Sequence, residues 1–94
     1  MSKLKTGPLY LTRGVADRAH EDDAFATFVD DCLKRYLTCD WGDLCREDAK
    51  ANDAAFRNGD DRILASYKAQ DGTKLWIITE WDRSATTVLF PDEY

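Results

Sequence analysis

With 94 residues, a net charge of −5, 44% hydrophobic and 33% charged side chains, the chain has material for one core and too little for two. That balance excludes an intrinsically disordered segment, and no apolar run approaches the roughly 20 residues that cross a bilayer. The opening Met1-Ser2-Lys3-Leu4-Lys5-Thr6-Gly7-Pro8 carries lysines with no apolar stretch behind them. It predicts no secretory signal, a cytoplasmic location, and a single domain of residues 1–94 in which residues 1–7 are a loose lead-in.

Leu9-Tyr10-Leu11-Thr12-Arg13 lies between Gly7-Pro8 and Gly14 and reads as a short first strand, Leu9 and Leu11 on one side, Tyr10 and Thr12 on the other. Ala16 to His20 predicts a brief helical turn before the acids Glu21-Asp22-Asp23. The clearest helix follows. Phe25, Phe28, Val29, Cys32, Leu33 and Tyr36 recur at spacings of three and four, Asp22 or Asp23 can cap the start, and Lys34 with Arg35 suits the negative end. Such an aromatic stripe is core.

A second helix is expected to open at Asp40 and run through Trp41 to about Arg57, with Asn58-Gly59 as its stop. Its expected inner stripe is Trp41, Leu44, Cys45, Asp48, Ala51 or Asn52, and Ala55 or Phe56. Asp48 and Asn52 lie one turn apart, so burial obliges each to find a partner: either they cap or brace a neighbouring loop or strand, or they line a polar recess shared with the bend between the last two strands.

Arg62 to Lys68 then reads as a strand, Ala69 to Thr73 as a turn centred on Asp71-Gly72, Lys74 to Glu80 or Trp81 as the next strand, and Thr86 to Phe90 as the last, ended by Pro91. The expected fold is α+β, in the order β-α-α-β-β-β. One or two amphipathic helices and a short helical turn pack on a mostly antiparallel sheet of about four strands.

Cys32, Cys39 and Cys45 are odd in number and without a Cys-x-x-Cys pair, which predicts buried free thiols rather than a zinc site. Charge is uneven: 13 Asp and Glu stand against 6 Lys and Arg from Gly14 to Asp61, and 5 against 7 elsewhere. The acidic middle disfavours direct nucleic-acid binding and favours a protein partner with a basic surface.

The best-marked polar stretch is the link between the last two strands. Glu80, Asp82, Arg83, Ser84, Thr86 and Thr87 gather there, and Arg13, Asp48 and Asn52 are candidates to join them. Glu80 and Asp82 share a side under strand alternation, as two carboxylates holding a cation would; a solvated turn with a weak ion pair to Arg83 is the simpler reading. Ser84 has no base near it in sequence, and His20 is the lone imidazole. Phosphate-binding, dinucleotide and zinc-protease motifs are missing from the chain, so no catalytic residue, cofactor or metal ligand is assigned.

Leu11-Thr12-Arg13-Gly14-Val15, Phe25 to Val29, Asp40-Trp41-Gly42-Asp43-Leu44-Cys45 with Glu47-Asp48 and Asn52, Arg62 to Tyr67, and Trp76 through Tyr94 together carry a resemblance over most of the chain. It resembles small proteins of phages, plasmids and integrative elements labelled "plasmid-related protein" or "type I restriction endonuclease subunit M". The second label implies a DNA methyltransferase, which needs a glycine-rich cofactor turn and an Asn/Asp-Pro-Pro-aromatic segment; Phe90-Pro91-Asp92-Glu93-Tyr94 is not one. The resemblance implies a protein of a mobile element. Together with the acidic middle it leads to the expectation of an interaction module, in one form an inhibitor or nucleic-acid-mimicking decoy acting on a host defence protein. The competing expectation is a small metal-dependent hydrolase centred on Glu80, Asp82 and Arg83.

Overall fold

In the computed structural model, which describes residues 4–94, the chain runs β1 (Leu9–Leu11), α1 (Arg13–Glu21), α2 (Asp23–Leu37), α3 (Arg46–Asn58), β2 (Ile63–Lys68), β3 (Lys74–Thr79) and β4 (Thr86–Leu89), closing on a 3-10 turn at Pro91–Glu93. It is an α+β fold with a four-stranded sheet in the order β1-β4-β3-β2. β2, β3 and β4 form the expected antiparallel meander, and β1 adds to it parallel to β4.

The brief turn after β1 is a nine-residue helix. Thr12 Oγ1 accepts from the Val15 amide, Val15 is fully buried, and Asp22 both closes α1 and caps α2 by accepting from the Phe25 amide at 3.2 Å. The acidic cluster is therefore a helix junction. In α2, Phe25, Val29, Cys32 and Tyr36 are buried as their spacing requires.

The second long helix begins at Arg46, not Asp40. Sheet pairing outcompetes a helical turn over the intervening residues. Ser66 donates to the Trp41 carbonyl at 3.2 Å, and the Asp43 amide donates to the Ser66 carbonyl at 2.7 Å. This pairing depends on Gly42, at φ 76°, where a Cβ would sit 2.1 Å from the Ser66 oxygen. Trp41 consequently leaves the expected helix stripe; it meets Tyr36 edge-on at 5.5 Å and its indole N–H donates to Asp53 at 2.8 Å. The inner side of α3 is Ala49, Asn52, Ala55 and Phe56, whereas Cys45, Asp48 and Ala51 are exposed. Of the thiols, only Cys32 is buried, and desolvation pushes its pKa up to about 12.

One face of the sheet presents Ile63, Ala65 and Tyr67 of β2, Leu75 and Ile77 of β3 and Val88 of β4, all fully buried with Val15, Phe25, Val29, Cys32 and Tyr36 from the helices. Leu4 belongs to the same cluster, so the lead-in is anchored from residue 4; residues 1–3 lie outside the described residues.

A chain of hydroxyls crosses this core. Tyr36 Oη lies 2.6 Å from Thr79 Oγ1, Thr79 Oγ1 lies 2.7 Å from Thr86 Oγ1, and Thr86 Oγ1 donates to the Thr6 carbonyl at 2.7 Å. A carbonyl can only accept. Thr86 must therefore accept from Thr79, and Thr79 from Tyr36, which makes Tyr36 the head of a one-way relay from α2 through β3 and β4 to the lead-in.

Because Tyr36→Phe removes the first donor and Thr79→Val orphans it, the two should differ: Tyr36→Phe loses about 1 kcal/mol and Thr79→Val about 2–3 kcal/mol. Urea unfolding midpoints measure this, with the double variant falling short of the sum.

At the head of the edge pairing, Asp40 accepts from Arg35 Nε at 2.8 Å and from the Gly42 amide at 3.2 Å, which holds its carboxyl below the usual range. Its contribution is present above the unfolded pKa of about 3.9 and is lost as pH falls through the lower folded value. Thermal melts from pH 6 to pH 2 should show Asp40→Asn closing its gap to the parent protein at the acid end.

Candidate functional site

The polar link between β3 and β4 does not assemble the expected site. Glu80 and Asp82 are exposed, and Asp82 accepts from the Ser84 amide at 3.0 Å. The hydrogen bond from the Ser84 hydroxyl, and then that of its amide, hold the Asp82 carboxyl below the usual range. Ser84 is exposed, Thr86 is fully committed to the buried relay, and Thr87 lies on the opposite sheet face, paired in register with Ile78 and Tyr10.

Arg83 is turned inward. Its guanidinium donates to the carbonyls of Asp61 at 2.6 Å, Ala55 at 2.7 Å, and Glu80 and Trp81 at 3.2 Å each. The expected ion pair to Glu80 or Asp82 is replaced by a bracket of carbonyls. Ala55 lies in the last turn of α3, where Gly59 at φ 68° closes the helix, so a positive charge sits at the negative end of the helix dipole. The planar fork explains why arginine suits the position. Arg83 itself is held at φ 61°, a conformation that side chains other than glycine rarely adopt.

Asp48 and Asn52 part company as well. Asn52 spans the backbone of Leu64, donating to its carbonyl at 2.8 Å and accepting from its amide at 3.4 Å, while Asp48 is exposed. Both line a shallow recess of about 290 Å³ with Asp61, Arg62 and Leu64. Arg13, exposed at the start of α1, is at the opposite sheet edge from Arg62. Arg13 is thus apart from Arg62 and Arg83, which adjoin the same loop through the Asp61 carbonyl. Among the described residues no three His, Cys, Asp or Glu side chains are grouped to hold a metal ion.

A larger concavity lies elsewhere. A groove of about 410 Å³ runs between the start of α2 and the β2–β3 turn, with Phe25, Phe28 and Ala24 against Ala69, and Asp22, Asp31 and Asp71 around them. Its only cation among the described residues, Arg18, is already engaged. The guanidinium lies 4.7 Å from the Phe25 ring centroid, 3.1 Å from Asp71 and 3.7 Å from Asp22. The amide and hydroxyl of Thr73, with Arg18 behind them, hold Asp71 below the ordinary carboxylate range. An apolar floor with a negatively charged rim suits a cationic, partly apolar ligand.

Sequence reasoning assigned these groove residues to a core stripe, a helix start and a turn. The acidic run Glu21-Asp22-Asp23 and the Asp71-Gly72 turn were both visible, yet their adjacency is a contact across some 50 positions that periodicity does not encode. Comparison with protein-family models, with curated proteins and with solved structures finds no match to the chain.

Substituting Arg83 separates its two roles. Arg83→Ala loses the carbonyl bracket and keeps the strained backbone, costing about 2–3 kcal/mol; Arg83→Gly relieves the strain and should be less damaging by about 1 kcal/mol. Denaturant unfolding ranks the two, and Arg83→Lys should fall short of the parent protein because a point charge cannot span Ala55 and Asp61.

Proposed function

We propose that the protein is an interaction module that docks a basic, partly apolar segment of another protein in the groove between α2 and the β2–β3 turn. The observation that carries this reading is the pairing of a phenylalanine floor with Asp22, Asp31 and Asp71 at the rim. Burying the partner's aromatic or aliphatic side chain against Phe28 and Ala24, the accessible part of the floor, supplies affinity, and the carboxylates select lysine or arginine beside it. The net charge of −5, with Asp40, Asp43, Asp60 and Asp61 exposed in the links between elements, gives the molecule the same sign of potential and speeds the approach of a basic partner.

The resemblance to proteins of mobile elements gives this module a setting: a cytoplasmic protein of such an element, engaging a basic surface of a host defence protein as an inhibitor or decoy. The hydrolase reading loses its support, since Arg83 is spent on backbone carbonyls and Glu80 and Asp82 point to solvent at an open bend.

A peptide array scored with the labelled protein should favour sequences with lysine or arginine flanking an aromatic or aliphatic residue. Reversing the rim with Asp31→Lys and Asp71→Lys should weaken the best binder at least about tenfold, as should raising the salt several-fold. Binding indifferent to both would dispose of the groove.

A further inference from the structure

The two edges of the sheet are treated unequally. On β2, the outward-facing backbone of Leu64 is taken by the Asn52 amide and that of Ser66 by Trp41 and Asp43, so this edge is closed from within. On β1, the Thr86 amide donates to the Pro8 carbonyl and the Thr12 amide to the Val88 carbonyl, which turns Pro8, Tyr10 and Thr12 toward β4. Alternation then points the amides and carbonyls of Leu9 and Leu11 away from the sheet. The side chains are equally uncovered: Leu9, Tyr10 and Leu11 are 49%, 55% and 41% exposed, three consecutive apolar residues on an edge that no lysine or bulge blunts.

We infer that β1 pairs with β1 of a second copy, antiparallel across a two-fold axis at Tyr10, joining the two sheets into one. The edge is self-complementary. Leu9 would exchange both backbone hydrogen bonds with the partner's Leu11, and Leu11 with the partner's Leu9, while the two Tyr10 residues face each other as the close, non-hydrogen-bonded pair. Closure of the β2 edge at Leu64 and Ser66, with a lysine at its remaining outward position, Lys68, makes the assembly stop at two, because the joined sheet has no second edge long enough for a fibre to grow. Charge agrees with this arrangement. Arg13, without an ion pair among the described residues, follows β1 at one end; the Asp82–Ser84 link lies against Gly7 at the other, where a Cβ would sit 2.4 Å from the Arg83 carbonyl. Antiparallel pairing brings each Arg13 toward the end of the strand where the partner's Asp82 lies. An edge of three residues is short, so the dimer is a reversible one.

Sedimentation equilibrium of the full chain should show a mass rising with concentration to twice that of the monomer. Leu9→Lys with Leu11→Lys in one protein should remain monomeric with an unchanged circular dichroism spectrum, as should Leu9→Glu with Leu11→Glu, and mixing the two proteins should restore the dimer. Position 10 reads the register. In a Cys45→Ser background, Tyr10→Cys should form an intermolecular disulfide on mild oxidation, because facing residues of this class have Cα atoms about 4.5 Å apart, whereas Leu9→Cys should not. A parent protein that stays monomeric throughout its soluble range overturns the inference; so does a dimer that survives the lysine pair, or a cross-link that forms as readily at position 9 as at position 10.

Discussion

A single file of hydroxyls inside an otherwise apolar core ties together parts of the chain that are far apart in sequence. Tyr36, Thr79 and Thr86 are each fully buried, and each would be costly there without a partner. Together they satisfy one another, and the last hydroxyl, that of Thr86, donates to the Thr6 carbonyl. Hydrocarbon contacts tolerate sliding, but this chain of donors and acceptors works in one register only, since slipping β3 against β4 by one residue would turn Thr79 or Thr86 out of the core. The relay therefore fixes where α2 sits on the meander and recruits the lead-in as a cover for β4.

The same accounting of backbone groups explains both ends of the sheet. Along β2, a tryptophan-glycine-aspartate segment and an asparagine side chain stand in for a missing strand, and the indole of Trp41 is carried into the core as that segment passes. Arg83 performs a related task at the base of α3, adding a second donor to the Ala55 carbonyl, which already accepts from the Gly59 amide, and meeting the Asp61 carbonyl of the loop that follows. In both places polar residues that resemble site chemistry serve to complete the secondary structure. Among the described residues, Leu9 and Leu11 of β1 have outward groups with no such internal stand-in.

Charge divides along the same architecture. The acidic surplus sits mainly in the links at the helix ends, at Asp22, Asp40, Asp43, Asp60 and Asp61, while the helices pair their acids with nearly as many lysines and arginines and turn their apolar faces inward. Arg18 sits within the groove that begins at Phe25 as a local counterweight, its guanidinium stacked on the ring and bridged between Asp22 and Asp71. The groove is lined by no residue of β1.

The α2 stripe, the Asp71-Gly72 hairpin, the α+β class and the stop at Pro91 were legible because each follows from spacing or turn chemistry within a few residues. Other features were settled across the fold. Trp41 to Cys45 has a helix-compatible pattern, yet the unpaired edge of β2 claims it; Arg83 sits among acids in sequence, yet the nearest acceptors in space are carbonyls of α3 and of the loop that follows it. Glu80, Asp82, Asp48 and Arg13 looked like candidates for one site because polar residues near a bend give no sign of where their side chains end. The sequence by itself determined which residues must leave water and with what period. Only the tertiary structure decided which polar groups would pair, because a hydrogen-bond partner is chosen by proximity in three dimensions and the buried cost of lacking one falls due only once the strands and helices have met.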